Sequence, residues 1–124
     1  MAEDRIGIGF IGAGASVQRR PAPGPKKIDG VEFVAVANRS RESGERAAAE
    51  LGIGKVYEDW RELVADPAVD AVFVCTWPYK HSEYSLAALK AGKHVFCQAR
   101  LAMDAADGRA MVEAAADSGL TTMV

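Results

Sequence analysis

The stretch from Arg5 to Val17, R-I-G-I-G-F-I-G-A-G-A-S-V, constrains this chain more than any other. An apolar run leads without a spacer into Gly12-Ala13-Gly14. That pattern predicts a buried strand, Ile6 to Ile11, feeding a tight turn that opens a helix. Glycines suit such a turn because the backbone must bend sharply and can then approach a bulky anion. The helix that follows would offer free N–H groups and the positive end of its dipole to a pyrophosphate. The third glycine of the dinucleotide fingerprint is replaced by Val17. Pro21, Pro23 and Pro25, with Gly24, fall where the helix would continue. Proline lacks the N–H and crowds the preceding turn, so the helix is expected to be short, about Ala15 to Arg20, and followed by an irregular connection.

The remaining chain alternates strand and helix signals. Val31 to Ala37 is β-branched and apolar, as a strand buried on both faces should be. Ser40 is placed to cap a helix running to Leu51, with Gly52 as its stop. Lys55 to Tyr57 reads as a short strand. Asp59-Trp60-Arg61-Glu62 has the spacing of a capping box and opens a helix that Asp66-Pro67 closes. Asp70 to Thr76 is a fourth strand. Pro78 introduces a helix to about Ala91, and Lys93 to Cys97 is a fifth strand. Asp104 and Gly119 bracket a last helix, and Leu120 to Val124 begins a sixth strand. This spacing predicts a single α/β domain over residues 1–124, a doubly wound parallel sheet with right-handed crossovers. Ligands of such sheets bind where the strand order reverses, at the carboxyl ends of the strands. The informative residues are therefore Gly12-Ala13-Gly14, Asn38-Arg39-Ser40, Thr76-Trp77-Pro78 and Gln98-Ala99-Arg100.

Composition removes several alternatives. A net charge of -2 leaves no basic excess for nucleic acid. No apolar run approaches the ~18 residues of a membrane span, and the charged start M-A-E-D-R does not resemble a signal peptide. A cytoplasmic protein is expected. Cys75 and Cys97 lack C-x-x-C spacing and end apolar runs, which favours buried free thiols. His81 and His94 do not cluster with them, so no metal site is expected.

Asn38 stands 26 residues beyond Gly12, close to the roughly 20-residue offset at which an acid contacts the adenosine ribose in dinucleotide-binding folds. An acid there would repel a 2′-phosphate. This chain instead has asparagine beside Arg39, whose planar guanidinium can grip phosphate with two bonds and stack on adenine. That favours NADP(H), with NAD(H) as the second candidate. The plainer alternative is a solvated charge at a helix start, and Arg41 alone would merit it. Thr76-Trp77-Pro78 could pack against a nicotinamide ribose, or Trp77 could plug a neighbouring domain. A helical histidine such as His81 is more often structural than functional.

Taken together, G-F-I-G-A-G, V-A-V-A-N-R-S, V-Y-E-D-W-R-E-L, D-P-A-V-D-A-V-F-V-C-T-W-P-Y-K-H and A-L-K-A-G-K-H-V-F-C resemble one family. It is the N-terminal, Rossmann-type cofactor domain of the glucose–fructose oxidoreductase, inositol dehydrogenase and rhizopine-catabolism (Gfo/Idh/MocA) proteins. The resemblance spans nearly the whole chain. It implies an NAD(P)-dependent oxidoreductase acting on sugars, cyclitols or related polyols. By position it implies a pyrophosphate turn at Gly12, Ala13, Gly14, Ala15 and Ser16, and adenosine-ribose contacts at Asn38, Arg39 and Ser40. The nicotinamide side falls on Thr76, Trp77, Pro78 and His81, which brings His81 into the cofactor pocket.

The chain departs from that pattern after K-H-V-F-C. The family usually continues E-K-P, whose lysine assists proton transfer, whereas this chain has Gln98-Ala99-Arg100. Ala99 has nothing to titrate, and Arg100 can bind an anion but is a poor general base. Gln98 can still bond a ribose hydroxyl. The family also carries a second, substrate-binding α/β domain beyond the sixth strand. The chain is therefore expected to be the cofactor half of an oxidoreductase, inactive alone, that takes its polyol only with a second domain. The alternative is a stand-alone nucleotide-binding or regulatory module. An S-adenosylmethionine-dependent methyltransferase shares the G-x-G turn, but it would normally place an acid where Asn38 stands. Apolar surface near Trp77 and Leu101 to Met103 would favour self-association into a homo-oligomer.

Overall fold

The computed structural model describes residues 5–13, 28–76, 80–98 and 102–124. Among these, strands β1 (Ile6–Ile11), β2 (Val31–Ala37), β3 (Lys55–Tyr57), β4 (Ala71–Val74), β5 (His94–Cys97) and β6 (Thr122–Met123) form one sheet. Every neighbouring pair is parallel, and the order is β3-β2-β1-β4-β5-β6. Four helices connect them within the described residues: α1 (Arg41–Leu51), α2 (Trp60–Ala65), α3 (His81–Lys90) and α4 (Ala105–Ser118). The chain steps outward from β1 to β3, then returns through α2 to place β4 on the other side of β1. The strand order thus reverses between β1 and β4, which makes their carboxyl ends the natural ligand crevice.

Alternation along the strands divides the core between two faces. On one, Ile11, Ala35, Ala37, Val72, Val74 and Val95 pack with Leu63, Leu89 and Met111 of the helices. On the other, Phe10, Phe33 and Val36 meet Ala47, Ala48 and Leu51 of α1. An aromatic row crosses the sheet on this second face. The Phe10 ring lies edge-on to Phe33 at 4.9 Å and to Phe73 at 5.3 Å, and Phe73 stacks on Phe96 at 4.8 Å. The alternating glycines of β1 make room on the helical face. A Cβ added to Gly9 would sit 2.8 Å from Leu63 Cδ2 and 3.2 Å from Val69 Cγ1.

The helix punctuation follows the residues that predict it. Ser40 Oγ accepts from Ser43 N, and Asp104 Oδ1 accepts from Asp107 N. Gly52 and Gly119 end α1 and α4 in the left-handed conformation, at φ 73° and 70°. Details differ in places. Asp59 caps α2 through Arg61 N at 2.9 Å, while Glu62 N bonds the Asp59 backbone carbonyl, so the reciprocal bond of a capping box is not what anchors this end. β4, Ala71–Val74, is shorter at both ends than the expected Asp70 to Thr76, and Asp70 just before it holds β1. Its carboxylate accepts from Gly7 N at 2.8 Å, and its own N–H donates to Gly7 O at 2.7 Å. β6 contains two residues, Thr122 and Met123, both exposed at the sheet edge. The short helix expected from Ala15 to Arg20 and the Pro21–Pro25 segment lie outside the described residues.

The amino ends of the strands are tied by a polar hub. The Asp66 carboxylate is 4% exposed and accepts from Lys55 Nζ at 3.0 Å, Tyr57 Oη at 2.7 Å and Ala68 N at 2.8 Å. Lys93 Nζ donates to the Asp66 carbonyl at 2.9 Å, and His94 Nδ1 accepts from Thr121 N at 3.0 Å. Burial acts to raise the Asp66 pKa. The donors Ala68, Tyr57 and Lys55 outweigh it and hold the carboxyl below its ordinary value. The same contact, with burial second, raises the Tyr57 phenol.

Two stability measurements follow. A carboxylate whose pKa is depressed in the folded state contributes its full stability above the unfolded pKa, about 4, and loses it as pH falls through the folded value. Urea denaturation should therefore show stability falling on acidification below about pH 4, and Asp66→Asn should flatten that loss; an unchanged slope in the variant would remove Asp66 as its source. At the β1–α2 contact, Leu63→Ala should cost about 2–5 kcal/mol and Gly9→Ala about 1–3 kcal/mol. The double variant should lose less than the sum, because the shorter side chain frees the space the new methyl needs. Strict additivity would show that Leu63 is not what excludes a side chain at position 9.

Candidate functional site

The carboxyl ends of β1, β2 and β4 open onto a cleft of about 330 Å³. Gly12 and Ala13 from the turn after β1, Asn38 and Arg39 after β2, and Thr76 after β4 line it together. Gly12 has φ 84°, a conformation side chains rarely adopt. A Cβ there would also run into the Thr76 side chain and crowd its backbone N and Cα at 3.1 Å. Glycine is thus required twice at this position, for the turn and for the approach of β1 to the β4 exit.

Asn38 fixes the other side of the turn. Its Oδ1 accepts from Ala13 N at 2.6 Å, and its Nδ2 donates to Ala13 O at 2.9 Å and to Ser43 Oγ at 2.9 Å. Gly12 N, in turn, donates to Ala37 O at 3.0 Å. The first two N–H groups of the turn are therefore engaged by the protein itself. Ser40 faces α1 as its cap. Arg39 is exposed along the cleft wall, and among the described residues no carboxylate pairs with it. Arg41 behaves differently, with ion pairs to Glu45 at 3.1 Å and Glu58 at 3.9 Å, as a solvated helix-start charge would.

His81 is fully buried, and its Nε2 lies 2.8 Å from the Thr76 carbonyl. A carbonyl can only accept, so Nε2 carries the hydrogen. His81 does not line the cleft. It supports the loop that does. Gln98 is half-buried at the end of β5, its N–H bonded to Val74 O at 2.9 Å, and is likewise outside the cleft lining. Gly14, Ala15, Ser16, Trp77, Pro78, Ala99 and Arg100 lie outside the described residues. Cys75 and Cys97 are buried and form no disulfide with each other. Burial, with Cys97 nearby as a lesser cause, pushes the Cys75 thiol up to about 12, far from a nucleophile's range.

Sequence reasoning missed part of the wall. Glu58, Trp60, Lys80 and Tyr84 also line the cleft. Trp60 meets Tyr84 edge-on at 4.7 Å, and the Arg61 guanidinium lies 4.9 Å from the Trp60 ring. Trp60 was legible in principle, because it follows the carboxyl end of β3 and obeys the same strand-end rule as Asn38. Tyr84 had no such signal. It reaches the cleft from the first turns of α3.

Comparison with known proteins agrees with this fold. The family model for Gfo/Idh/MocA oxidoreductases, NAD-binding Rossmann fold, matches residues 6–124. The chain is 45% identical over 112 residues to a 1,5-anhydro-D-fructose reductase from Ensifer adhaerens, covering 90% of this chain and 33% of that protein. It is 43% identical over 113 residues to an inositol 2-dehydrogenase from Pseudomonas savastanoi, covering 90% and 34%. The chain thus spans about a third of the length of the curated relatives it matches. Among solved structures, the biliverdin reductase of Synechocystis in complex with biliverdin and NADP+ superposes with a TM-score of 0.86 at 28% identity, over 96% of this chain and 37% of that one. A 3-ketoreductase from Actinomadura kijaniata, in complex with NADP and TDP-benzene, gives 0.85 at 30% identity, over 94% and 35%. By its sheet order, its glycine turn and these matches, the chain belongs to the Gfo/Idh/MocA oxidoreductase family, whose NAD-binding Rossmann fold it adopts.

Proposed function

We propose that this chain holds a nicotinamide dinucleotide, NADP(H) in preference to NAD(H), for an oxidoreductase acting on a sugar, cyclitol or related polyol. The observation that carries the reading is Arg39, exposed on the cleft wall beside a glycine turn, with an amide rather than a carboxylate next to it. The residues present fit the group. Gly12 permits the positive-φ turn that brings the end of β1 against Thr76, and the cleft lies at the reversal of strand order. The relatives named above as 1,5-anhydro-D-fructose reductase and inositol 2-dehydrogenase support the substrate class, and the two NADP complexes support the cofactor.

In this reading, the segment from Gly12 and Ala13 through Gly14, Ala15 and Ser16 receives the pyrophosphate. The adenosine ribose lies by Asn38, Arg39 and Ser40, with the Arg39 guanidinium gripping a 2′-phosphate. Thr76, Trp77 and Pro78 border the nicotinamide side, with His81 behind Thr76. Gln98 is a donor for a ribose hydroxyl. The bound cofactor supplies the hydride chemistry, and the protein's share is alignment. The polyol itself is taken together with a second domain. Ala99 cannot move a proton, and Arg100 is suited to binding an anion.

Fluorescence titration of the purified chain with NADPH and NADH tests this reading. Micromolar NADPH binding is expected, with NADH weaker. Arg39→Ala removes a charge-assisted contact worth about 1.5–3 kcal/mol, so NADPH affinity should fall about 10- to 100-fold while NADH changes far less. Equal losses for both nucleotides would sink the NADP(H) assignment, and no binding of either would sink the cofactor reading. A stand-alone nucleotide-binding module would give the same titration without polyol turnover by the natural protein, and Ala99 in place of a lysine supports that second reading.

A further inference from the structure

We infer that Asn38 is a positioning residue for the dinucleotide: it acts by clamping the glycine turn, and its amide, not an adenosine ribose contact, is what binding depends on. This rests on the cofactor reading above and assigns Asn38 a role that the fingerprint position alone would not suggest.

The geometry leaves the amide little to offer a ligand. Both Nδ2 hydrogens are spent, one on Ala13 O at 2.9 Å and one on Ser43 Oγ at 2.9 Å. One Oδ1 lone pair takes Ala13 N at 2.6 Å. A side-chain amide with both a donor and an acceptor matches both groups of one peptide unit pair, and a carboxylate cannot, since it has nothing to donate to the Ala13 carbonyl. Asparagine at the end of β2 is therefore explained by the turn as well as by the absence of repulsion toward a 2′-phosphate.

The clamp also decides which backbone donors remain for an anion. Gly12 N is bonded to Ala37 O, and Ala13 N to Asn38. The N–H groups that meet a pyrophosphate must then come from residues after Ala13. Asn38 holds both backbone groups of Ala13, the residue from which the chain continues toward Gly14. Thr76, packed against Gly12 and held through its carbonyl by His81, closes the turn from the β4 side.

Two measurements on Asn38→Ala test the inference. The first is hydrogen exchange at the Ala13 amide in the ligand-free chain, with folding checked by circular dichroism. Protection should fall about tenfold in the variant. The second compares NADH with 2′-deoxy-NADH, a chemical double-mutant cycle. A positioning residue weakens both ligands by the same factor, about tenfold. Loss of NADH affinity with no loss for the 2′-deoxy analogue would make Asn38 a ribose ligand and overturn the inference, as would unchanged Ala13 protection. Should Asn38→Ala fail to fold, Ser43→Ala removes only the acceptor that steadies Nδ2. It must then lower Ala13 protection measurably, and no change there overturns the clamp. If the wild-type chain binds neither nucleotide, the cofactor reading falls, while Ala13 exchange still decides the clamp.

Discussion

The approach of β1 to the exit of β4 is the contact on which the rest of this structure depends. At that point Gly12 turns with a positive φ while the Thr76 side chain occupies the place where a Cβ would project. The sheet order reverses there, so the two strand ends cannot be separated without opening the middle of the sheet. The constraint is steric, and close packing makes it stiff, because a filled interior has no slack to absorb an extra methyl. Everything placed at the cleft is placed relative to this contact.

β1 is held at both ends by polar side chains from its neighbours. Asp70 exchanges two hydrogen bonds with Gly7 at the start of the strand, and Asn38 exchanges two with Ala13 just past its end. Each residue satisfies backbone groups that the sheet ladder leaves over. A buried peptide group without a partner costs more than a bond returns, so these two residues matter chiefly for what they prevent. The glycine-rich strand between them has few side chains to fix its position. The anchors do so instead.

Much of this was legible in the residues. Apolar, β-branched runs bounded by polar residues marked β1 and β2 at the bounds they take in the fold, since a strand buried on both faces has a strong, continuous pattern. Ser40, Asp104, Gly52 and Gly119 announced their caps through chemistry that acts over three or four residues. The site was legible to the extent that it obeys the strand-end rule, which picked out Gly12, Ala13, Asn38, Arg39 and Thr76 as one group. The same rule could not reveal where their side chains point. That Asn38 faces back onto Ala13, 25 residues earlier in the chain, depends on the register between β1 and β2, including its shift between Ile8 and Gly9. The burial of His81 and the arrival of Tyr84 in the cleft depend on how α3 docks, which local pattern does not encode.

The A-G-K-H-V segment, part of one of the stretches that carry the family resemblance, contributes nothing to the wall of the cleft. Lys93 reaches the carbonyl of Asp66 and His94 receives the N–H of Thr121, so both polar side chains stitch β5 to its surroundings at the pole of the sheet away from the cleft. A signature can therefore mark ancestry through architecture alone. Family membership read from such residues travels with the scaffold, and chemistry can diverge at the opposite pole without disturbing it.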